Sequence, residues 1–203
     1  MSHSTPLTPM IDLIQNRQSI PLLTTPIPTA AEWAHVLAAA ATAPDHGRLK
    51  PWRFFLVEGE ARNQLGSVFL EVAETNAASN TSLTDQQRER TRNLPLRAPC
   101  ILTVATKILH NHKIPVTEQI SATAAATQNI QLALASLGYG CMWRTGDFAY
   151  QPKVKQAFGL EDTDEIIGFL YVGTPEKMPP PRTPQDLTSC FSHWQGAAKG
   201  EVK

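Results

Sequence analysis

Ala43-Pro44-Asp45-His46-Gly47-Arg48-Leu49-Lys50-Pro51-Trp52-Arg53-Phe54-Phe55-Leu56-Val57 leads from the end of one helix, through a polar loop, into a compact apolar run. Pro44 stops the helix, because a proline inside it would remove a hydrogen bond and clash with the preceding turn. The run 52–57, bounded by Pro51 and Gly59, reads as a strand buried on at least one face. Upstream, Thr29-Ala30-Ala31-Glu32 is a capping box that opens the helix, with Trp33, Val36, Leu37 and Ala40 on one face. A loop held between two such elements is a common place for binding residues.

Working outward, Thr8-Pro9 starts a short helix with Met10, Ile11, Leu13 and Ile14 as its apolar face, ending near Arg17. Prolines cluster at 21–28 and 175–184, where they predict extended connecting arms. Downstream, 60–73 reads as a helix, and Thr84-Asp85-Gln86-Gln87 is a second capping box opening a charged helix to about 93. Residues 100–106 form the clearest strand signal. Residues 117–137 form a long alanine-rich helix closed by Gly138; 141–144 is a short strand, 151–158 a short helix and 166–172 the last core strand. Helices outweigh strands. We expect a single domain over residues 1–203, with extended or flexible arms at about 1–8 and 176–203.

A chain of 203 residues that is 42% hydrophobic can bury one good core. Eighteen basic and eighteen acidic side chains cancel, so no net field holds it to nucleic acid or an anionic membrane. The expected partner is a small molecule. Cys100, Cys141 and Cys190 are odd in number and widely spaced, which speaks against a disulfide framework and for a reducing compartment. The polar N-terminus lacks signal-peptide character and no apolar run nears the roughly 20 residues of a membrane span, so the expected location is cytoplasmic. No G-x-G-x-x-G follows a strand and no P-loop occurs, so a bound phosphate would be held by side chains. His110-Asn111-His112 lacks further ligands for a metal, and none is expected. Glu118 reads as a first-turn acid favoured by the helix dipole.

Three clusters carry chemistry. Arg17-Gln18-Ser19 puts a guanidinium and a hydroxyl together at a helix end, fit to grip a phosphate; alone it reads more readily as a C-terminal cation beside a turn. His46 can donate to a ring carbonyl or face a growing negative charge, or be an ordinary loop histidine. Trp143-Arg144-Thr145 joins a large ring to a cation and a hydroxyl, with Arg144 a candidate second phosphate ligand; alternatively Trp143 is core and Arg144 a strand end.

Taken together, Asn16-Arg17-Gln18-Ser19, Ala43-Pro44-Asp45-His46 with Pro51-Trp52-x-Phe54-Phe55, Asn111-His112-Lys113-Ile114-Pro115, Trp143-Arg144-x-Gly146, and Ile167-Gly168-Phe169-Leu170-Tyr171-x-Gly173-Thr174-Pro175 resemble the nitroreductase family, in its small bacterial branch. The likeness extends from about Asp12 to Pro175. It implies an α+β fold with a central antiparallel sheet flanked by helices, in an intertwined homodimer with FMN at the subunit interface. It also implies that Arg17, Gln18, Ser19, Thr42, His46, Trp143, Arg144 and Thr145 contact FMN. The guanidiniums of Arg17 and Arg144 would converge on its phosphate where two copies meet. The stretch Ala133, Leu134, Ala135, Ser136, Leu137 and Gly138 matches the family position linked to NAD(P).

The implied activity is hydride transfer from NADH or NADPH, through FMN, to a small electron-poor acceptor such as a nitroaromatic or quinone, in ping-pong order. No catalytic side chain is required, because the flavin carries the chemistry. Other flavin chemistry of the same superfamily, or a non-catalytic flavin-binding dimer, are the alternatives. Gln18 stands where the branch has a second arginine, and Thr42 where a relative has an arginine; Lys50 replaces a glutamine and is a candidate substitute cation.

Overall fold

The computed structural model describes residues 8–77, 82–183, 185–194 and 196. Six helices are formed by these residues: α1 Pro9–Asn16, α2 Ala30–Ala40, α3 Ala61–Asn76, α4 Asp85–Arg92, α5 Val116–Ser136 and α6 Pro152–Ala157. Five strands accompany them: β1 Leu23–Thr24, β2 Trp52–Glu58, β3 Cys100–Thr106, β4 Gly140–Arg144 and β5 Glu165–Pro175. Every pairing is antiparallel. β5 lies at the centre, with β3 and then β2 on one side; β4 and β1 follow each other along its other side. The expected α+β architecture, an antiparallel sheet between helices, is the one observed.

Strand side chains alternate between faces, and the two cores divide accordingly. Cys100, Leu102 and Val104 of β3 with Leu170 and Val172 of β5 pack under α2 and α5, meeting Trp33, Val36, Ile130 and Leu134. Ile101, Ala105, Phe169 and Tyr171 face α3 and α6, meeting Leu65, Phe69, Val72 and Val154. The alanines of α5 at 122 and 126 are buried, allowing close approach to the sheet. Both capping boxes form, Thr29 with Glu32 and Thr84 with Gln87.

Several expectations are corrected. The proline-rich crossing contains β1, two residues too short for any period to reveal. β2 is the outermost strand: Val57 is buried and Phe55 packs beside it on one core, Trp52 and Phe54 pack part-buried on the other, and Leu56 is exposed. α3 continues past Ala73 to Asn76, since no glycine or proline stands in that last stretch. β5 reaches Pro175, a proline being tolerated at a strand terminus. Residues 1–7 of the N-terminal arm lie outside the described residues.

At the centre of the sheet the register shifts between Val104 and Ala105, leaving Ile167 as the extra residue of a bulge in β5. The Ile167 carbonyl accepts from the Trp143 indole N–H at 3.0 Å. A Cβ on Gly168 would stand 2.1 Å from that indole nitrogen, so the absent side chain is what lets Trp143 cross the sheet.

Candidate functional site

Thr8 caps α1, its hydroxyl accepting from the Ile11 amide, and Pro9 occupies the first turn. The helix stops at Asn16 and the chain extends, so that the Ile20 amide donates to the Cys141 carbonyl of β4 at 3.1 Å. Arg17 is thereby laid, half-buried, between α5 and β4, its Nη1 3.4 Å from Gln131 Oε1. It lines a cavity of about 200 Å³ together with Gln18, Gln131, Ala135, Gly138 and Met178. No acidic residue contributes to this cavity, and among the described residues no carboxylate lies within salt-bridge distance of Arg17.

Burial lowers the Arg17 pKa, and repulsion from Arg182 adds to it. Cys141 offers no counter-charge, because burial pushes its thiol up to about 12. Among the described residues the cavity therefore holds a half-buried cation without an anion, a cost that a bound phosphate or carboxylate would relieve. Gln18 uses its amide on the Pro180 carbonyl at 2.8 Å, tying the C-terminal arm across the same place, and Ser19 is exposed.

His46 begins a tight 3₁₀ turn, His46–Arg48, after α2. Gly47, Arg48 and Lys50 all take left-handed backbone conformations, unusual for the two long side chains. The Asp45 carboxylate fixes the loop by accepting the Lys50 amide at 2.7 Å. His46 Nδ1 meets Glu118 Oε2 at 2.6 Å, both groups being exposed. Thr42 is spent on the helix end: its hydroxyl donates to the Ala39 carbonyl at 2.8 Å, next to the Asn129 amide that donates to the same oxygen.

At β4 the outward carbonyl of Cys141 sets the parity of the strand edge. Positions two apart face alike, so the backbone of Trp143 points outward as well, while the Arg144 side chain turns to the other face of the sheet. There its guanidinium lies 5.6 Å from the centre of the Tyr171 ring. Within one chain, then, Arg17 and Arg144 line different cavities. His46 and Thr42 border neither of them. Of the stretch from Ala133 to Gly138, Ala135 and Gly138 line the Arg17 cavity, Leu134 is fully buried core, and Gly138, at φ +84°, ends the helix.

Reading the residues in chain order missed the stripe Gln119, Thr123, Thr127 and Gln131, buried along α5 at four-residue spacing. Gln119 donates to the carbonyls of Leu109 and Ile114 and accepts from the Leu109 amide. It clamps the 109–114 loop, whose Ile114 side chain packs on Gly47, a residue at φ +74° where glycine is favoured. Thus a buried amide on α5 helps set the turn that carries His46. The four-residue spacing was the available signal.

Among the described residues, no group of three or more His, Cys, Asp or Glu is arranged to hold a metal ion, and no helix is long and apolar enough to cross a membrane. A family model described as "Nitroreductase family" matches residues 14–174. The chain is 40% identical over 166 residues to the Escherichia coli K12 protein named "Putative NAD(P)H nitroreductase YdjA", covering 82% of this chain and 88% of that one. A crystal structure of a nitroreductase-like family protein from Bacillus cereus superposes with a TM-score of 0.76 at 25% identity, over 95% of this chain and all of the other. A Bacteroides fragilis nitroreductase solved with bound FMN has the same fold, with a TM-score of 0.69 at 17% identity over 93% of this chain and 100% of its own.

Proposed function

The chain belongs to the nitroreductase family, and from that premise we propose that it is a homodimeric oxidoreductase that holds FMN and passes hydride equivalents from NADH or NADPH to a small electron-poor acceptor, a nitroaromatic or a quinone. The observation that carries the reading is the half-buried, carboxylate-free Arg17 in its cavity beside α5. Its chemistry fits a dianionic phosphate, and FMN-bound or NAD(P)H-using relatives make a flavin phosphate the natural occupant.

FMN, when bound, supplies two-electron chemistry in ping-pong order, so the protein needs no nucleophile of its own. Arg17 binds the phosphate, with the Gln18 and Ser19 segment following it. The outward backbone of Trp143 and Thr145 offers hydrogen-bonding groups along the sheet edge that begins beside Arg17. Arg144 pairs its backbone inward with β5 and sends its side chain to the opposite face, so its part is to hold Trp143 and Thr145 in place. His46 is oriented by Glu118: with Nδ1–H donated to the carboxylate, Nε2 is the free atom, an acceptor in the neutral ring and a donor in the imidazolium. Because His46 and Arg17 do not share a cavity in one chain, the histidine serves the site of a second copy. The end of α5 at 133–138, beside Arg17, is where the nicotinamide nucleotide approaches. Thr42, its hydroxyl spent on the end of α2, does not line the Arg17 cavity of its own chain. Cys100, Cys141 and Cys190 are free thiols, which supports a cytoplasmic setting, and residues 1–203 act as one domain.

The test is FMN titration of Arg17→Ala and Arg144→Ala against wild type. Loss of a charge-assisted hydrogen bond, about 1.5 to 3 kcal/mol, should weaken Arg17→Ala by roughly tenfold to a hundredfold, with a smaller loss in Arg144→Ala. Wild-type affinity in Arg17→Ala would overturn the site. Yellow protein that anaerobic NADH and NADPH fail to bleach would overturn the activity and leave a flavin-binding role.

A further inference from the structure

On the face of the sheet away from Arg17, a second cavity of about 530 Å³ opens between α3, the 94–97 turn and the end of β4. Its volume is that of a small-ligand site. Phe69 and Phe148 stack on its floor with centroids 4.4 Å apart, and Phe169 meets Phe69 edge-on at 5.5 Å. Two guanidiniums reach into it, Arg144 from β4 and Arg97 from the turn before β3. Neither has a carboxylate within salt-bridge distance among the described residues; Asp147 lines the cavity without pairing to either, leaving one positive charge in excess.

Tyr171 completes the wall. It is 5% exposed, buried under the Arg144 guanidinium. Burial pushes its phenol above the usual range even though Arg144 and Arg97 favour the ionised form, so the hydroxyl keeps its proton and remains a donor. An aromatic floor, two guanidinium forks without an ion-pair partner among the described residues and a phenol donor together match a flat ring bearing a carboxylate.

We propose that this cavity is a binding site for a small aromatic carboxylate, its ring against Phe148 and Phe169 and its carboxylate between Arg97 and Arg144. The site is separate from the Arg17 cavity and stands whether or not flavin binds there. The probe is 2-naphthoate, titrated by calorimetry into the full-length protein as purified, beside its neutral analogue 2-naphthamide and acetate. Naphthoate binds. The amide and acetate each bind at least about tenfold more weakly, since one lacks the charge and the other the ring.

Arg144→Met and Arg97→Met, which keep the apolar stems, each weaken naphthoate by about tenfold or more, while Arg17→Ala leaves it unchanged. Should Arg144→Met lose its circular dichroism spectrum, the exposed Arg97 carries the test by itself. No naphthoate binding to wild type, equal binding of the amide, or loss in Arg17→Ala with retention in Arg97→Met would each overturn the proposal.

Discussion

Asp164, 1% exposed, accepts hydrogen bonds from the amides of Ile108 and Glu161, each at 2.9 Å, and lies 3.3 Å from the Lys107 ammonium. Burial by itself would raise its pKa, but the two amides and the ammonium outweigh that and hold the carboxyl below its ordinary value. A depressed pKa means the folded state favours the charged form. The stabilisation is present in full above the unfolded value of about 4 and fades as pH falls through the lower folded value. Asp164→Asn should therefore cost about 1 to 3 kcal/mol at neutral pH, with the gap to wild type narrowing in acid; urea unfolding at pH 7 and near pH 3 measures both. A gap independent of pH would show that the charge of Asp164 contributes nothing. This residue, which knots the loop after β3 to the turn before β5, gave no sign in the sequence: its partners lie 56 and 3 positions away and only folding joins them. Arg17 and His46 were legible because their residue types and neighbouring runs form a recognisable set; Glu118 and Arg97 were not, since each is an ordinary surface charge until a loop is laid beside it.

At the scale of elements, helix ends were the most readable features. Thr8-Pro9, both capping boxes and Gly138 act within a few residues of themselves, so local chemistry decides them. Strand order and the bulge in β5 depend on partners far along the chain. Gly168 illustrates this: a Cβ there would press on the Trp143 indole at 2.1 Å and the Arg144 carbonyl at 2.9 Å. Gly168→Ala should destabilise by roughly 1 to 3 kcal/mol and shift tryptophan emission as Trp143 is displaced. In a Trp143→Phe background, where the indole N–H is gone, the same substitution should cost less, a coupling read from a double-mutant cycle by thermal unfolding. Strict additivity would mean that Gly168 is required for another reason.

At the scale of the molecule, α1 presents Met10, Ile11 and Ile14 to solvent with exposures of 61%, 43% and 47%, and no residue of that helix is buried. Leu22 and Met178 are exposed as well. An amphipathic helix with no buried residue in its own chain is the kind of surface a second copy covers. Sedimentation should find a dimer at micromolar concentration, and Ile11→Glu with Ile14→Glu should dissociate it or lower its FMN content. A flavin-loaded monomer that persists in the wild type would refute both the dimer and the assignment of His46 to a second copy.

What the amino-acid order determined on its own is whatever short-range physics and residue type can settle: the helices and their caps, four of the five strands, and the set of runs that marks the family. Only the folded chain decided which face of β4 each side chain takes. Because successive strand residues point oppositely, three positions separate Arg17's neighbour Cys141 from Arg144 and put their side chains on opposite faces. The sheet therefore sends one guanidinium to a cavity beside α5 and the other to a cavity beside α3.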